Sequence, residues 1–108
     1  MTGTASQIEL AEQIRPRVEA EFQRVAGALR STSLRQSELD RRDTFALIAI
    51  LEEKREETLT NDRAGYFICN WQEMPDQVRR LIAADTRFQT IRAGRELRRR
   101  SDSGRERL

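Results

Sequence analysis

The sequence has 108 residues but no histidine, one cysteine, one lysine and two prolines. Each shortage removes a class of chemistry. Without histidine there is no imidazole general base, no histidine-dependent triad and no zinc site built on histidine. A single cysteine, Cys69, supports neither an intrachain disulfide framework nor a thiolate metal cluster. With no histidine to activate it, Cys69 reads as a structural thiol in a reducing compartment, so a cytoplasmic location is expected. No apolar stretch approaches the roughly 18–20 residues of a membrane span. Met1–Ser6 lacks the basic-then-apolar order of a secretory signal. A glycine-rich phosphate loop, a GKS or GKT sequence and internal repeats are all missing. Any enzyme built from what remains would rest on carboxylates.

Charge is what the chain has in quantity, at 35% of residues. Lys54 apart, every basic residue is arginine. Coding bias, from a GC-rich genome or an overlapping reading frame, is the simpler source; bidentate, stackable phosphate contact is the functional one. The distribution is more informative than the total. Residues 1–74 carry 10 basic and 13 acidic side chains, whereas residues 75–108 carry 10 basic and 5 acidic ones. The basicity therefore belongs to the C-terminal third.

One run of seven apolar residues stands out, Phe45-Ala46-Leu47-Ile48-Ala49-Ile50-Leu51. Charged helix formers flank it on both sides, and no Gly or Pro interrupts residues 37–60, so it reads as the middle of a long helix. Ser37 followed by Asp40 caps its start. Upstream, Ser6 and Glu9 form a capping box for a first helix, whose apolar residues recur at Ile8, Ala11, Ile14, Val18, Phe22, Val25 and Leu29. From Ala11 onward that set falls within a band of about 80° on a helical wheel, a narrow seam for one partner. Pro16 kinks this helix without breaking its register. Ser31-Thr32-Ser33 is a short connection, which makes the two helices an antiparallel hairpin.

Ala64, Phe67, Ile68 and Trp71 lie at i, i+3, i+4 and i+7, the face of a short third helix that Thr60-Asn61-Asp62 can cap and Pro75 ends. Gly65–Cys69 is rich in strand formers, but no second strand is available to pair with it. Asp76 caps a fourth helix through Val78, Leu81 and Ile82, which breaks or bends near Asp85-Thr86. From Arg92 the apolar pattern fades, so residues 1–91 read as a helical domain and residues 92–108 as a basic, disordered tail.

Three groups could carry chemistry. Glu52, Glu53 and Glu56, with Glu73 and Asp76 further on, are similar in spacing to the carboxylates of the all-helical MazG-type pyrophosphohydrolases. That resemblance implies magnesium held near substrate phosphates. The plainer reading is a solvated acidic helix end paired with Arg and Lys. The second group is basic: Arg79, Arg80, Arg87, Arg92, Arg95, Arg98, Arg99 and Arg100 suit sequence-independent, salt-sensitive contact with phosphates. Phe88 is the one aromatic among them, which favours backbone contact with a duplex or structured RNA over base stacking. A solubilising tail is the alternative. The third group, Tyr66, Phe67 and Trp71, could anchor a partner but fits the cap of a small core better.

The first helix, from Glu9-Leu10 through Ile14, Pro16, Arg17 and Val18, resembles the small dsRNA-binding RNA-silencing suppressors of nodaviruses, in which a proline also interrupts an apolar seam. The resemblance implies two long antiparallel helices, a short third helix, a dimeric four-helix bundle and contact with duplex backbone. Arg41, Arg42, Lys54, Arg55 and Arg63 would then serve along the central helix. Glu52, Glu53, Glu56 and Glu57 depart from that pattern, since they would repel phosphate there.

The expected architecture is all-α: a long hairpin plus one or two short helices. One thin seam cannot cover an all-round apolar helix, so the C-terminal segments, a second copy of the chain or both must cover the rest; a homodimer is expected through Phe45, Leu47, Ile48, Ile50 and Leu51. The expected function is non-enzymatic binding of nucleic acid through Arg41, Arg42, Lys54, Arg55, Arg63, Arg79, Arg80, Arg95, Arg98, Arg99 and Arg100, with no metal or cofactor and no membrane. A protein-interaction adaptor or inhibitor is the alternative, and a magnesium-dependent pyrophosphohydrolase the third reading.

Overall fold

A computed structural model describes residues 1–106, with side chains as far as Ser101. The chain forms α1 (Ala5–Ser33), α2 (Glu38–Leu59), α3 (Ala64–Asn70), α4 (Met74–Ala83) and α5 (Thr86–Glu106). Among the described residues no strand forms beyond a lone parallel bridge between Thr2 and Arg63. The all-α expectation holds. No helix is long and apolar enough to cross a membrane.

The start of α1 differs from expectation. Thr4, not Ser6, is the cap: its side chain accepts from the Gln7 N–H, and the Gln7 side chain accepts from the Thr4 N–H. Residues 1–5 are also not a loose end. The Thr2 N–H donates to the Asp62 carbonyl at 2.7 Å, and the Thr2 carbonyl accepts from Ala64 at 3.0 Å. Gly3 makes this possible with φ +144°, where a Cβ would sit 3.1 Å from the Ala64 Cβ. Pro16 lies inside α1, which continues through it as one helix. The connection also falls later than expected, since α1 includes Ser31–Ser33 and the turn is Leu34–Ser37.

The second helix has the expected bounds, and the Ser37 side chain accepts from the Asp40 N–H. Arg41 reaches the Ser33 carbonyl, Arg55 reaches Glu19, and Arg15 reaches the Leu59 carbonyl. The partners descend α1 as they climb α2, so the two helices run in opposite directions. The predicted seam is the packed one: Ala11, Val18 and Phe22 are buried, together with Ala26. They meet Leu51, Ala64, Phe67, Trp71 and Val78 in one core. Phe67 and Trp71 are thus core residues, and the Trp71 ring lies against Phe22 with centroids 5.6 Å apart. The short third helix forms despite its strand-forming residues because Ala64 and Phe67 both face this core.

Pro75 does not end α3; it occupies the first turn of α4, where its missing N–H costs nothing, and Glu73 rather than Asp76 is the cap position. The break at Asp85-Thr86 appears as expected, and the Asp85 side chain accepts from the Arg87 N–H. The largest departure follows. Residues 92–106 belong to α5 rather than to a disordered tail; Arg107 and Leu108 lie outside the described residues. Arg, Glu, Leu and Ala are strong helix formers, and the two glycines within α5, Gly94 and Gly104, do not outweigh them.

The fifth helix lies along α2. Lys54 pairs with Asp85, Glu53 with Arg87, and Asp40 and Asp43 with Arg98, so α5 runs opposite to α2. By this register the last residues of α5 carry on past the start of α2. The molecule is accordingly a rod of 66 × 23 × 18 Å with a radius of gyration of 17.6 Å, against about 13 Å for a compact chain of this length.

The α5 placement also answers how the apolar run is covered. Leu47, Ile48, Ile50 and Leu51 are buried within one chain, at 8% exposure or less. Of the five residues expected at a dimer seam, Phe45 alone stays open, at 52%. Ala46 and Ala49 are exposed beside it on the outer face of α2.

Candidate nucleic-acid interface

The eleven basic candidates divide into two groups. Five are occupied within the chain. Arg41 donates from Nε to the Ser33 carbonyl at 3.0 Å and from Nη2 to the Gln36 carbonyl at 3.3 Å, closing the α1–α2 turn. Lys54 lies 3.3 Å from Asp85, and Arg55 lies 2.7 Å from Glu19. Arg95 and Arg98 hold α5 to the first half of α2. Arg95 donates to the Asp40 carbonyl and to Thr44 Oγ1, each at 3.2 Å, and Arg98 donates to Asp40 at 3.1 Å and to Asp43.

The remaining six, Arg42, Arg63, Arg79, Arg80, Arg99 and Arg100, are exposed. None makes an ion pair among the described residues. They do not form one stripe. Arg79 and Arg80 lie on α4, Arg63 follows α2, and Arg42 is on the opposite side of α2 from the α5 contact. Arg99 and Arg100 directly follow the docked Arg95 and Arg98 on α5.

The ion pairs shift their own groups. Hydrogen bonds from Arg87, with Lys54 adding to them, hold the Asp85 carboxyl well below the usual carboxylate range. Arg98 holds Asp40 down in the same sense, while Asp43 and then Asp40 raise Arg98 above an already high value. Asp85 and Asp40 are thereby held ionised, and Arg98 protonated, near neutral pH.

The carboxylates of the pyrophosphohydrolase-like pattern are dispersed. Glu52 sits 3.9 Å from Arg30 and 3.8 Å from Arg55, and Glu53 sits 2.8 Å from Arg87. Glu73 and Asp76 belong to the start of α4. Among the described residues no three acidic or cysteine side chains come together as a cation-holding group. Cys69 is a free, exposed thiol.

The residues that sequence reasoning missed are the receptors on α2: Asp40, Asp43 and Thr44. A signal for them exists, since two aspartates at i and i+3 match two arginines, Arg95 and Arg98, at the same spacing. The 55 or so residues between the two pairs hide the match from any local pattern. Compared with protein-family models, with characterised proteins and with solved structures, the chain matches none.

Proposed function

We propose that the chain is a non-enzymatic nucleic-acid-binding module that contacts the phosphate backbone of double-stranded or structured RNA through arginine. The observation that carries this reading is α5 itself. Arg95, Arg98, Arg99 and Arg100 lie within six residues of one docked helix, the first two anchored and the last two exposed. Guanidiniums held on a fixed frame lose less entropy on meeting phosphate than the same residues in a loose tail. Arg42, Arg79 and Arg80 supply further exposed charge elsewhere on the rod.

A mobility-shift or anisotropy titration with duplex RNA checks this at two salt concentrations. Affinity should fall steeply as salt rises, and the double variant Arg99→Gln/Arg100→Gln should weaken binding and flatten the salt slope by roughly one per lost phosphate contact. No binding even at low salt sinks the proposal.

Pairing of two copies belongs to the same reading. The outer face of α2 offers Phe45, half exposed, beside the small residues Ala46 and Ala49, which let a second helix approach closely. Sedimentation should return the mass of two chains at micromolar concentration, and Phe45→Glu should return the mass of one. A single-chain mass for the unaltered protein rejects the dimer.

One observation favours the adaptor reading instead. Leu34, Leu39, Phe45 and Leu97 are exposed at 79%, 56%, 52% and 65%, all toward the end where the α1–α2 turn meets the second half of α5. Co-purification of a protein partner with no nucleic acid would support that alternative.

A further inference from the structure

At that end of the rod, α5 and the α1–α2 turn enclose a cleft of about 450 Å³. Arg95, Arg98, Arg99 and Ser101 line it from α5 and Ser37 from the turn; among the described residues Asp40 is the one acidic residue in its walls. The arginines are not exhausted by holding α5 in place. Both bonds of Arg98 leave through Nη2, as do both hydrogen bonds of Arg95, and Arg99 makes none. The two Nη1 groups and the whole Arg99 guanidinium thus have no hydrogen-bond partner among the described residues.

We propose that this cleft binds a phosphoryl group, and a terminal phosphomonoester in preference to a backbone diester. Three guanidiniums face two carboxylates among the described residues, Asp40 in the wall and Asp43 behind Arg95 and Arg98, and both carboxylates are already engaged by Arg98, so the surplus positive charge sits at Arg99. A monoester presents three unsubstituted oxygens and close to two charges, so it can accept from all three arginines at once. A diester presents two such oxygens and one charge, and both its substituents must leave the cleft. Leu39, exposed at 56% and part of the lining, gives the attached nucleoside an apolar surface to rest on. This deepens the nucleic-acid reading by naming where a strand end would sit, and it rests on that reading for the source of the phosphate.

The test uses the full chain labelled with ¹⁵N. Titrating inorganic phosphate should shift amides of residues 37–40 and 95–101 in a saturable way. Arg99→Gln should weaken that binding by about five-fold, the loss of charge-assisted hydrogen bonds at a partly wet site, with its melting temperature unchanged. Arg17→Gln, an exposed arginine on α1, should change nothing. Equal loss in both variants, or shifts spread over every arginine, overturns the site. Duplex RNA carrying a 5′-phosphate should then bind several-fold tighter than the same duplex with a 5′-hydroxyl. Equal binding of the two overturns the terminal preference. Failure of inorganic phosphate with both RNAs still bound removes the cleft and leaves the module's function intact. Binding of phosphate with neither RNA bound does the reverse.

Discussion

Replacing Trp71 by alanine is expected to lower the melting temperature by on the order of 20 °C. The indole is 1% exposed and lies at the junction of α1, α3 and α4, against Phe22 and among Val18, Leu51, Phe67 and Val78. Emptying such a position costs about 3–5 kcal/mol, a large part of the roughly 5–15 kcal/mol that holds a domain of this size together. Each kcal/mol corresponds to about 4–8 °C here. Thermal unfolding followed by circular dichroism measures the loss without needing the chain's single tryptophan.

Trp71→Phe separates packing from polarity. The indole Nε1–H is buried and has no hydrogen-bond partner among the described residues, and a buried unpaired donor costs about 1–3 kcal/mol. Phenylalanine keeps most of the ring, leaves a small cavity and removes that donor. The two changes oppose each other, so the melting temperature should stay within a few degrees of the unaltered protein. A loss as deep as that of alanine would mean that the N–H is satisfied and contributes to stability.

The parts of this fold that were legible in the sequence are those set by neighbours close in the chain. The bounds of α2 follow from the Ser37 cap and the absence of Gly and Pro up to Leu59. The buried seam of α1 follows from the steps of three and four between Ala11 and Phe22. The parts that were not legible are set at long range. The all-round apolar centre of α2 calls for cover from the C-terminal segments, a second copy of the chain or both, and nothing local shows that α5 returns to it. The basic stretch after Arg92 lacks an apolar stripe and so resembled a tail. Its helix is instead held by arginines that find aspartates some 55 positions away, and periodicity does not record charge pairing across that distance. The same limit applied to the site. Charge marks Arg95 and Arg98 in the sequence, but only their attachment to α2 distinguishes them from Arg99 and Arg100.

That attachment leads to the second large effect. Asp43→Arg is expected to release α5 from α2 while the α1–α2–α3 core stays folded. Few apolar contacts would resist it: Phe88 and Ile91 are half-buried, and Leu97 is 65% exposed. What fixes the second half of α5 is the set of bonds from Arg95 and Arg98 to Asp40, Asp43 and Thr44. Reversing the charge at Asp43 removes one acceptor and places a third guanidinium beside those two. A helix of this length freed from its partner frays in water, since helices gain most of their stability from packing. Amide exchange should therefore accelerate across residues 92–101 by on the order of ten-fold or more, with amides of α1 and α3 unchanged. Asp43→Arg combined with Arg98→Asp restores the pairing in reverse and should recover part of the protection, because residues in direct contact couple. Unchanged exchange in Asp43→Arg would show that apolar contacts alone hold α5. If α5 is released, the cleft beside Leu39 opens with it, and binding of phosphate should be lost even though Arg99 is still present.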